Sequence, residues 1–220
     1  IILSGQVQSR DVRGKRKVRQ IGFQEIDMAT LVAPITKYTK TLTCSKDVKY
    51  VMEKAWHLAT TGRQGPVWIE IPLDIQSSII EPDSLVGFTP PPQEDRSKEL
   101  EARVSEFYEM LTHSARPIIL AGNGIRSAKA EEKFLQLAEL LGIPVMTTWK
   151  AIDFMDEDHP LFIGRPGLAG QRGANISQQT ADLFVSIGAR LDHGQTAFNH
   201  TNFARKAKKV IVDIDSAEIE

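Results

Sequence analysis

Apolar residues recur along the 220-residue chain at two different spacings, and each spacing predicts a kind of element. Three segments repeat apolar residues every three to four positions, which is the spacing of one helix face. We predict a helix that starts near Ser45 and ends at Gly62, a second over 100–111, and a third that ends at Gly142. Their apolar stripes are Val48, Val51, Met52, Ala55 and Ala59, then Leu100, Val104, Phe107 and Leu111, then Phe134, Leu137, Ala138 and Leu141.

Short apolar runs alternate with these helices and predict strands. The runs cover 66–71, 117–121, 145–147, 183–187 and 210–213, and the opening residues 1–5 read as the end of a further buried strand. Apolar strands that are joined by helices are typical of a parallel sheet with right-handed crossovers. The predicted fold class is therefore α/β, with a doubly wound parallel sheet of the dinucleotide-binding type in the second half of the chain.

A proline-rich stretch over 87–98 divides the chain, because its prolines disfavour helix and central strand. We predict a first domain over 1–80, a linker over 81–97 and a second domain over 98–220. The chain opens without methionine and stops just after a strand, so we expect that both natural termini lie beyond it.

Composition excludes several classes of function. A net charge of -1 and one cysteine, Cys44, give no global field for nucleic acid, no internal disulfide and no cysteine-rich metal site. The basic segment 10–19 has no interleaved aromatic residue to stack a base, and we interpret it as a solvated loop. No apolar run reaches the roughly 18 residues of a membrane span. We expect no nucleic-acid or membrane partner and a cytoplasmic location.

A glycine-rich turn is the first candidate for chemistry. Gly122, Asn123 and Gly124 directly follow the strand 117–121 and lead toward a helix predicted to begin near Ser127. Glycines let a ligand approach the backbone, and amides at a helix start favour anions, so a dinucleotide pyrophosphate could rest there. The alternative is a tight turn with no ligand.

Two later strand ends carry charged residues at corresponding places. They are 188–192, Gly-Ala-Arg-Leu-Asp, and 213–215, Asp-Ile-Asp. In open parallel sheets, ligands lie beyond the carboxyl ends of the strands, where acidic residues bind ribose hydroxyls and arginine binds phosphate. The alternative is that Asp192, Asp213 and Asp215 cap turns or helices, which Asp does commonly.

Both halves of the chain resemble the acetolactate synthases, which depend on thiamine diphosphate. In the first half the resemblance rests on 23–25, 34–37 and the run 62–74, Gly-Arg-Gln-Gly-Pro-Val-Trp-Ile-Glu-Ile-Pro-Leu-Asp. In the second half it rests on 182–183, 188–192 and 212–219. The resemblance implies the end of a pyrimidine-binding domain followed by most of the central domain, in family order.

The resemblance also implies roles for single residues. Gln24 would approach thiamine diphosphate and the reacting carbonyl, which suits an uncharged amide, and Phe23 would line the same site. Lys37 would stand at the substrate entrance, unless it is an ordinary solvated lysine, and Arg63 would reach the flavin of FAD. The rest of FAD would be lined by Gly122, Gly124, Gly188, Ala189, Arg190, Leu191, Asp192, Asp213 and Ile214.

Some segments depart from the family pattern. The usual Gly-Gln-Val-Pro-Arg continues differently after Val7 and is followed by the basic insertion, and Leu73 stands where the family has a lysine. Residues 190–194 read Arg-Leu-Asp-His-Gly instead of Arg-Phe-Asp-Asp-Arg, and residues 164–167 replace a Met-His-Gly segment. These departures leave the substrate and the retention of FAD open.

The activity implied is decarboxylation of a 2-oxo acid and transfer of the remainder to a second carbonyl, as in branched-chain amino acid biosynthesis. Alternatives are a non-oxidative decarboxylase or sugar-pathway relative on the same scaffold, or a non-catalytic nucleotide-binding domain. The family activates thiamine with a glutamate expected upstream and holds Mg²⁺ with a motif expected downstream, so we expect the piece alone to be inactive. Family members associate as homodimers or homotetramers.

Overall fold

A computed structural model describes residues 1–92 and 94–219. Contacts within the chain divide it into two compact units, Ile1–Gln93 and Glu94–Glu220. Gln93, in the predicted linker, and Glu220, at the end of the predicted second domain, lie outside the described residues. The finer boundaries at 80 and 97 stay predictions.

The first unit is a three-stranded parallel sheet with one long helix. Its strands follow the order β1-β3-β2, and every pairing is parallel. The elements are β1 (Ile2–Gln6), α1 (Met28–Val32), β2 (Tyr38–Thr41), α2 (Val48–Thr60), β3 (Val67–Pro72) and α3 (Leu73–Gln76).

Helix α2 covers one face of this sheet because its apolar stripe matches the inward residues of the central strand. Val51 and Ala55 of α2 pack with Val67 and Ile69 of β3 and with Leu42. The helix follows a 3-10 turn over Ser45–Asp47, and Gly62 takes the left-handed conformation, φ +58°, just after it ends. The predicted helix between Ser45 and Gly62 is confirmed.

Strand β1 corrects the prediction of a buried first strand. Ile2 is 42% exposed and Leu3 is 54% exposed. Among the described residues β1 pairs only with β3, so it is an edge strand of its unit. An apolar run cannot by itself show whether a second neighbour covers it, which is why the prediction was wrong.

The second unit is a four-stranded parallel sheet in the order β5-β4-β6-β7. The chain starts in the middle of the sheet, adds one strand outward, and then returns to build the other side. The doubly wound prediction is confirmed. The elements are α4 (Ser97–Thr112), β4 (Pro117–Ala121), α5 (Gly124–Ser127), α6 (Glu131–Leu141), β5 (Val145–Thr147), α7 (Arg172–Thr180), β6 (Leu183–Ile187) and β7 (Lys208–Val212).

Both faces of this sheet are covered, as its alternating residues require. Ile119 and Val185 face one side, where Phe134 of α6 packs on them. Phe184 faces the other side, where Ala174 of α7 lies. No helix in the part of the chain that the structure describes is long and apolar enough to cross a membrane.

The helix expected from Ser127 onward is two helices instead. The short helix α5 ends at Ser127, and α6 begins at Glu131. Lys129 between them takes a left-handed φ of +54°, which no α-helix can contain. The sequence has no glycine or proline at that point, so the break could not be anticipated from punctuation residues.

Candidate functional site

The carboxyl edge of the first sheet carries the loop with Phe23 and Gln24. Because the three strands are parallel, their carboxyl ends at Gln6, Thr41 and Pro72 lie on one edge. The segment that follows β1 bears both residues, and its Ile26 carbonyl accepts a hydrogen bond from Gln6 at 2.8 Å. Phe23 is 85% exposed and Gln24 is also exposed, so both side chains are open to a ligand.

Gln24 has a backbone conformation that L-residues avoid. Its φ is +66°, in the left-handed region, at a cost of about 1–2 kcal/mol for a residue with a side chain. Non-glycine residues in this region cluster at functional sites, where the surrounding structure holds them. The position therefore has two unusual features together: an unfavourable backbone and an exposed amide side chain.

Glu25 holds the loop immediately beside Gln24. Its carboxylate accepts hydrogen bonds from the backbone N–H groups of Arg13 at 2.5 Å, Ile21 at 2.8 Å and Gly22 at 3.3 Å. These N–H groups, Ile21 first and Arg13 next, keep the pKa of Glu25 below its ordinary value. The Glu25 carboxylate therefore binds both Arg13 and the 21–22 segment of the loop and holds these two parts together.

A buried polar group in the sheet, linked to the loop through Gln6, was missed by sequence reasoning. Glu70 in the central strand β3 is 2% exposed, and its carboxyl group accepts hydrogen bonds from Thr41 at 2.6 Å and Gln6 at 3.3 Å. The available signal was a carboxyl residue inside the otherwise apolar run Val-Trp-Ile-Glu-Ile. A buried carboxyl needs hydrogen-bond partners, so such a residue indicates a built polar site.

Lys37 and Arg63 lie at the other end of the sheet. The Lys37 backbone N–H donates to Pro66, just before β2 and β3 begin, and its ammonium donates to Thr61 at 2.9 Å. Arg63, which is exposed, belongs to the same turn. The six residues of β3 span about 16 Å at roughly 3.3 Å per residue, so within this unit Lys37 is not brought to Gln24.

Leu73, the position where the resemblance implies a lysine, lies on the same sheet edge as the loop with Gln24. Leu73 follows the last residue of β3 and is 55% exposed. The next residue, Asp74, accepts hydrogen bonds from the Ser9 N–H at 2.8 Å and the Ser9 hydroxyl at 3.1 Å. The Ser9 N–H lowers the pKa of Asp74. The edge that carries Gln24 therefore presents an apolar side chain at the position where the resemblance implies a lysine.

In the second unit the three predicted loops share one sheet edge, because β4, β6 and β7 are parallel neighbours. Their glycines pack the loops against each other. A Cβ on Gly122 would lie 2.2 Å from the Gly188 carbonyl oxygen, and one on Gly124 would lie 2.6 Å from the Gly188 Cα. Gly188 itself has φ +58°. Close backbone approach explains all three glycines without a ligand.

The amides of these glycines are already used. The N–H of Gly122 donates to Ile187, that of Gly124 to Gly188, and that of Gly188 to Val212, all at 2.8–2.9 Å. The N–H groups at these three positions therefore do not point to a free pyrophosphate cradle. The role in ligand binding at these glycines stays a prediction.

The aspartates of this edge cap turns. Asp192 accepts from the Gln195 N–H at 2.9 Å, and Asp213 accepts from the Asp215 N–H at 2.9 Å. Asp215 in turn accepts from the Ala217 N–H at 3.1 Å. The capping alternative is thus what the geometry shows, with the ligand role untested.

Of the residues predicted at this edge, Arg190, Asp192 and Ile214 have exposed side chains. The Arg190 guanidinium pairs with Glu218 at 3.0 Å while its side chain stays 65% exposed, and Ile214 is 72% exposed. Ala189 is buried and Leu191 packs against the same apolar cluster, so both stabilise the unit.

Residues 164–167, where the resemblance implies a Met-His-Gly segment, are held by contacts within the second unit. Gly164 and Gly167 have φ of +105° and +129°, and Asn175 both donates to and accepts from the Gly167 backbone at 2.9–3.0 Å. Arg165 pairs with Glu157 at 2.9 Å, and its side chain is only 16% exposed. Among the described residues no group of three or more His, Cys, Asp or Glu could hold a metal ion.

Comparison with known proteins gives one family across the chain. The family model described as thiamine pyrophosphate enzyme, central domain, matches residues 104–220. A probable acetolactate synthase large subunit of Methanocaldococcus jannaschii is 34% identical over 227 residues, covering 100% of this chain and 36% of the relative. The acetolactate synthase large subunit of Corynebacterium glutamicum is 34% identical over 203 residues, 90% of this chain and 31% of the relative.

An enzyme of Escherichia coli, acetolactate synthase isozyme 1 large subunit, is 33% identical over 201 residues, 90% of this chain and 34% of the relative. The chain thus spans about a third of the length of the curated relatives it matches. Since the family model covers more than half of the chain and the sheet order agrees with a doubly wound central domain, this chain belongs to the thiamine pyrophosphate enzyme family.

Proposed function

We propose that this chain is part of an enzyme that decarboxylates a 2-oxo acid and transfers the remaining acyl group to a second carbonyl compound, as in acetolactate synthesis. The observation that carries the proposal is Gln24, whose side-chain amide is exposed and whose backbone is left-handed. The hydrogen bonds of the next residue, Glu25, hold the loop in this conformation. The relatives named above, acetolactate synthases, support the reaction class. The proposal concerns the full-length enzyme, of which this chain is the segment described.

Thiamine diphosphate, when bound, supplies the electron sink for loss of carbon dioxide. The residues of this chain would position and enclose the reacting groups. The Gln24 amide both donates and accepts hydrogen bonds, so it fits a reacting carbonyl oxygen and the cofactor without adding charge. Phe23, which is 85% exposed, would give an apolar wall that excludes water.

The edge with Gln24 also bears on the substrate. Exposed Leu73 follows Pro72 at this edge, where an apolar side chain can contact the alkyl group of the acceptor and supplies no cation for its carboxylate. Lys37 and Arg63 lie at the opposite end of β3. We propose that these two cations form a separate group, which contacts either a neighbouring part of the enzyme or the flavin.

FAD is a second proposed ligand, limited to the exposed side chains of the second unit. Arg190 and Ile214 are open to it, whereas the glycine amides and the aspartate carboxylates of that edge already serve the backbone. Mg²⁺ stays a prediction, with its site expected outside this chain. The large-subunit names of the relatives support association with further subunits, and a cytoplasmic location stays part of the proposal.

The experiment is an assay of the purified full-length protein with pyruvate, thiamine diphosphate and Mg²⁺. Acetolactate as the main product supports the proposal. Carbon dioxide with acetaldehyde as the main product would show the decarboxylase alternative. Neither product, with no binding of thiamine diphosphate, would leave the non-catalytic nucleotide-binding alternative. Flavin absorbance of the protein as purified tests FAD separately.

A further inference from the structure

A buried carboxyl group, that of Glu70, is linked through the Gln6 side chain to the loop that carries Gln24. Glu70 occupies the middle of β3, on the sheet face opposite the one that packs on α2, and only 2% of it is exposed. Replacing a whole buried polar set, here Glu70 together with Thr41 and Gln6, by apolar residues of the same shape can be nearly neutral or stabilising. Stability alone therefore gives no reason for a carboxyl residue at this place.

The Gln6 side chain connects Glu70 to the loop by hydrogen bonds. Gln6 donates from its amide nitrogen to Glu70 at 3.3 Å and to the Ile26 carbonyl at 2.8 Å. The amide oxygen of the same side chain accepts from the Val7 N–H at 2.9 Å. All three contacts together fix which way the amide faces, because its nitrogen and oxygen have different partners.

Ile26 and Glu25 follow Gln24 directly, so the loop is held close to it by two independent contacts. The Glu25 carboxylate binds the N–H groups of Arg13, Ile21 and Gly22, and Gln6 binds the Ile26 carbonyl. A residue with φ +66° persists only where its surroundings determine the backbone on either side. The second of these contacts depends on Glu70 to orient Gln6.

We infer that Glu70 is a positioning residue that acts through Gln6 on the loop bearing Gln24. The inference rests on the function proposed for Gln24. Glu70 touches neither Gln24 nor a reacting group; it keeps the Gln6 amide turned toward the Ile26 carbonyl. Thr41 supplies the other hydrogen bond, at 2.6 Å, that holds the carboxyl group itself in place.

Three variants of the full-length enzyme test the chain of contacts. Glu70→Leu removes the acceptor, and we expect kcat/KM to fall by about tenfold to a hundredfold, as for a misplaced reacting group. Glu70→Gln keeps an acceptor oxygen toward Gln6 and should recover activity to within about threefold of wild type. Thr39→Val is the matched control, because Thr39 lies on β2 and bonds Thr36 instead of Glu70.

The sharper readout is coupling to Gln24. If Glu70 acts through Gln24, Glu70→Leu has no further effect on kcat/KM in a Gln24→Leu background. A merely structural role would multiply the two losses, and that result would overturn the inference. Should Glu70→Leu fail to fold, Gln6→Leu breaks the same link at the edge strand and serves in its place.

Hydrogen exchange separates this inference from the proposed function. We expect amides of residues 21–31 to exchange faster in Glu70→Leu than in wild type, and unchanged in Thr39→Val, whatever the activity. Unchanged exchange in Glu70→Leu would contradict the inference. If the wild-type enzyme is inactive but Glu70→Leu still speeds exchange in residues 21–31, the function proposed above is overturned. That result would nevertheless support the role of Glu70 in positioning the loop.

Discussion

The carboxyl edges of the two sheets differ in how they use their polar residues and glycines. In the first unit, Glu25 and Gln6 bond the backbone around Gln24 and leave its amide exposed. In the second unit, Gly122 and Gly188 pack two loops against each other and Asp192 caps a turn.

The difference bears on how a site is recognised. A glycine or an aspartate after a strand first satisfies the needs of the turn, so its presence indicates a bend before it indicates a ligand. An exposed residue in a costly conformation, with neighbouring polar groups that hold it there, has no such structural explanation. The conformation alone does not decide, because among the described residues the second unit has four left-handed non-glycine residues, Lys129, Ala197, Phe198 and Ala204. Gln24 is the better-supported candidate because its conformation coincides with the resemblance and with the contacts of Glu25 and Gln6.

The largest effect is expected from Gly122→Ala in the second unit. Its Cβ would lie 2.2 Å from one backbone oxygen and 2.4 Å from the Ala189 Cα, so we expect a loss of about 3 kcal/mol in the free energy of unfolding. Urea unfolding of the whole chain measures it. Gly173→Ala is the control, because nothing lies within 4 Å of its Cβ in helix α7 and alanine favours helix. Equal stability of both variants would show that the loops do not pack as described.

Gln24→Gly should separate stability from activity in the first unit. Glycine adopts φ +66° without steric cost, so we expect the free energy of unfolding to rise by about 0.5–1 kcal/mol. Activity should fall because the amide is lost. Urea unfolding and the acetolactate assay on the same preparation check both halves, and a destabilised Gln24→Gly variant would contradict the conformation described.

Glu25→Gln should change how stability depends on pH. The backbone N–H groups lower the folded-state pKa of Glu25 below its ordinary value of 4.5. The ionised carboxylate therefore contributes stability that is fully present above about pH 4.5 and is lost as the pH falls through the lower, folded-state pKa. The difference in stability between wild type and variant should be constant near neutral pH and shrink below pH 4.5. A difference that is independent of pH, in urea unfolding from pH 7 to pH 3, would contradict this.

The smallest effect is expected at the exposed ion pair of the second unit. Because Arg190 is 65% exposed, solvent screens its contact with Glu218, and Arg190→Ala should cost about 0.5 kcal/mol or less. The same variant sharpens the comparison of the two edges. If the second edge also binds FAD, Arg190→Ala should clearly lower the fraction of purified enzyme that retains flavin, although the free energy of unfolding changes by only about 0.5 kcal/mol or less.

Much of the fold was predictable because it follows from apolar spacing. The helix between Ser45 and Gly62 and the doubly wound sheet both express burial patterns that the sequence displays. The exposure of β1 was not predictable, because it depends on which strand lies beside it. The break at Lys129 was also hidden, since a left-handed lysine has no sequence signature.

The candidate site was predictable only in part. Gln24 and Phe23 were found through the resemblance to acetolactate synthases, and their support by Glu25 and Gln6 became visible only with the three-dimensional pairing. Glu70 and Gln6 are 64 positions apart and meet because β1 and β3 pair in parallel. The resemblance implies that Lys37 stands at the substrate entrance, and this stays a prediction; within the first unit, β3 separates Lys37 from the edge that carries Gln24.

The most direct test of the account compares Gln24→Leu with Gln20→Leu in the full-length enzyme. Both substitutions remove an exposed glutamine amide from the same loop. The account predicts that Gln24→Leu lowers kcat/KM for acetolactate formation by about 30- to 100-fold, the value of one or two hydrogen bonds at the reacting group, and that Gln20→Leu changes it by less than about twofold. Equal activities of the two variants would contradict the assignment of Gln24 to the reacting site.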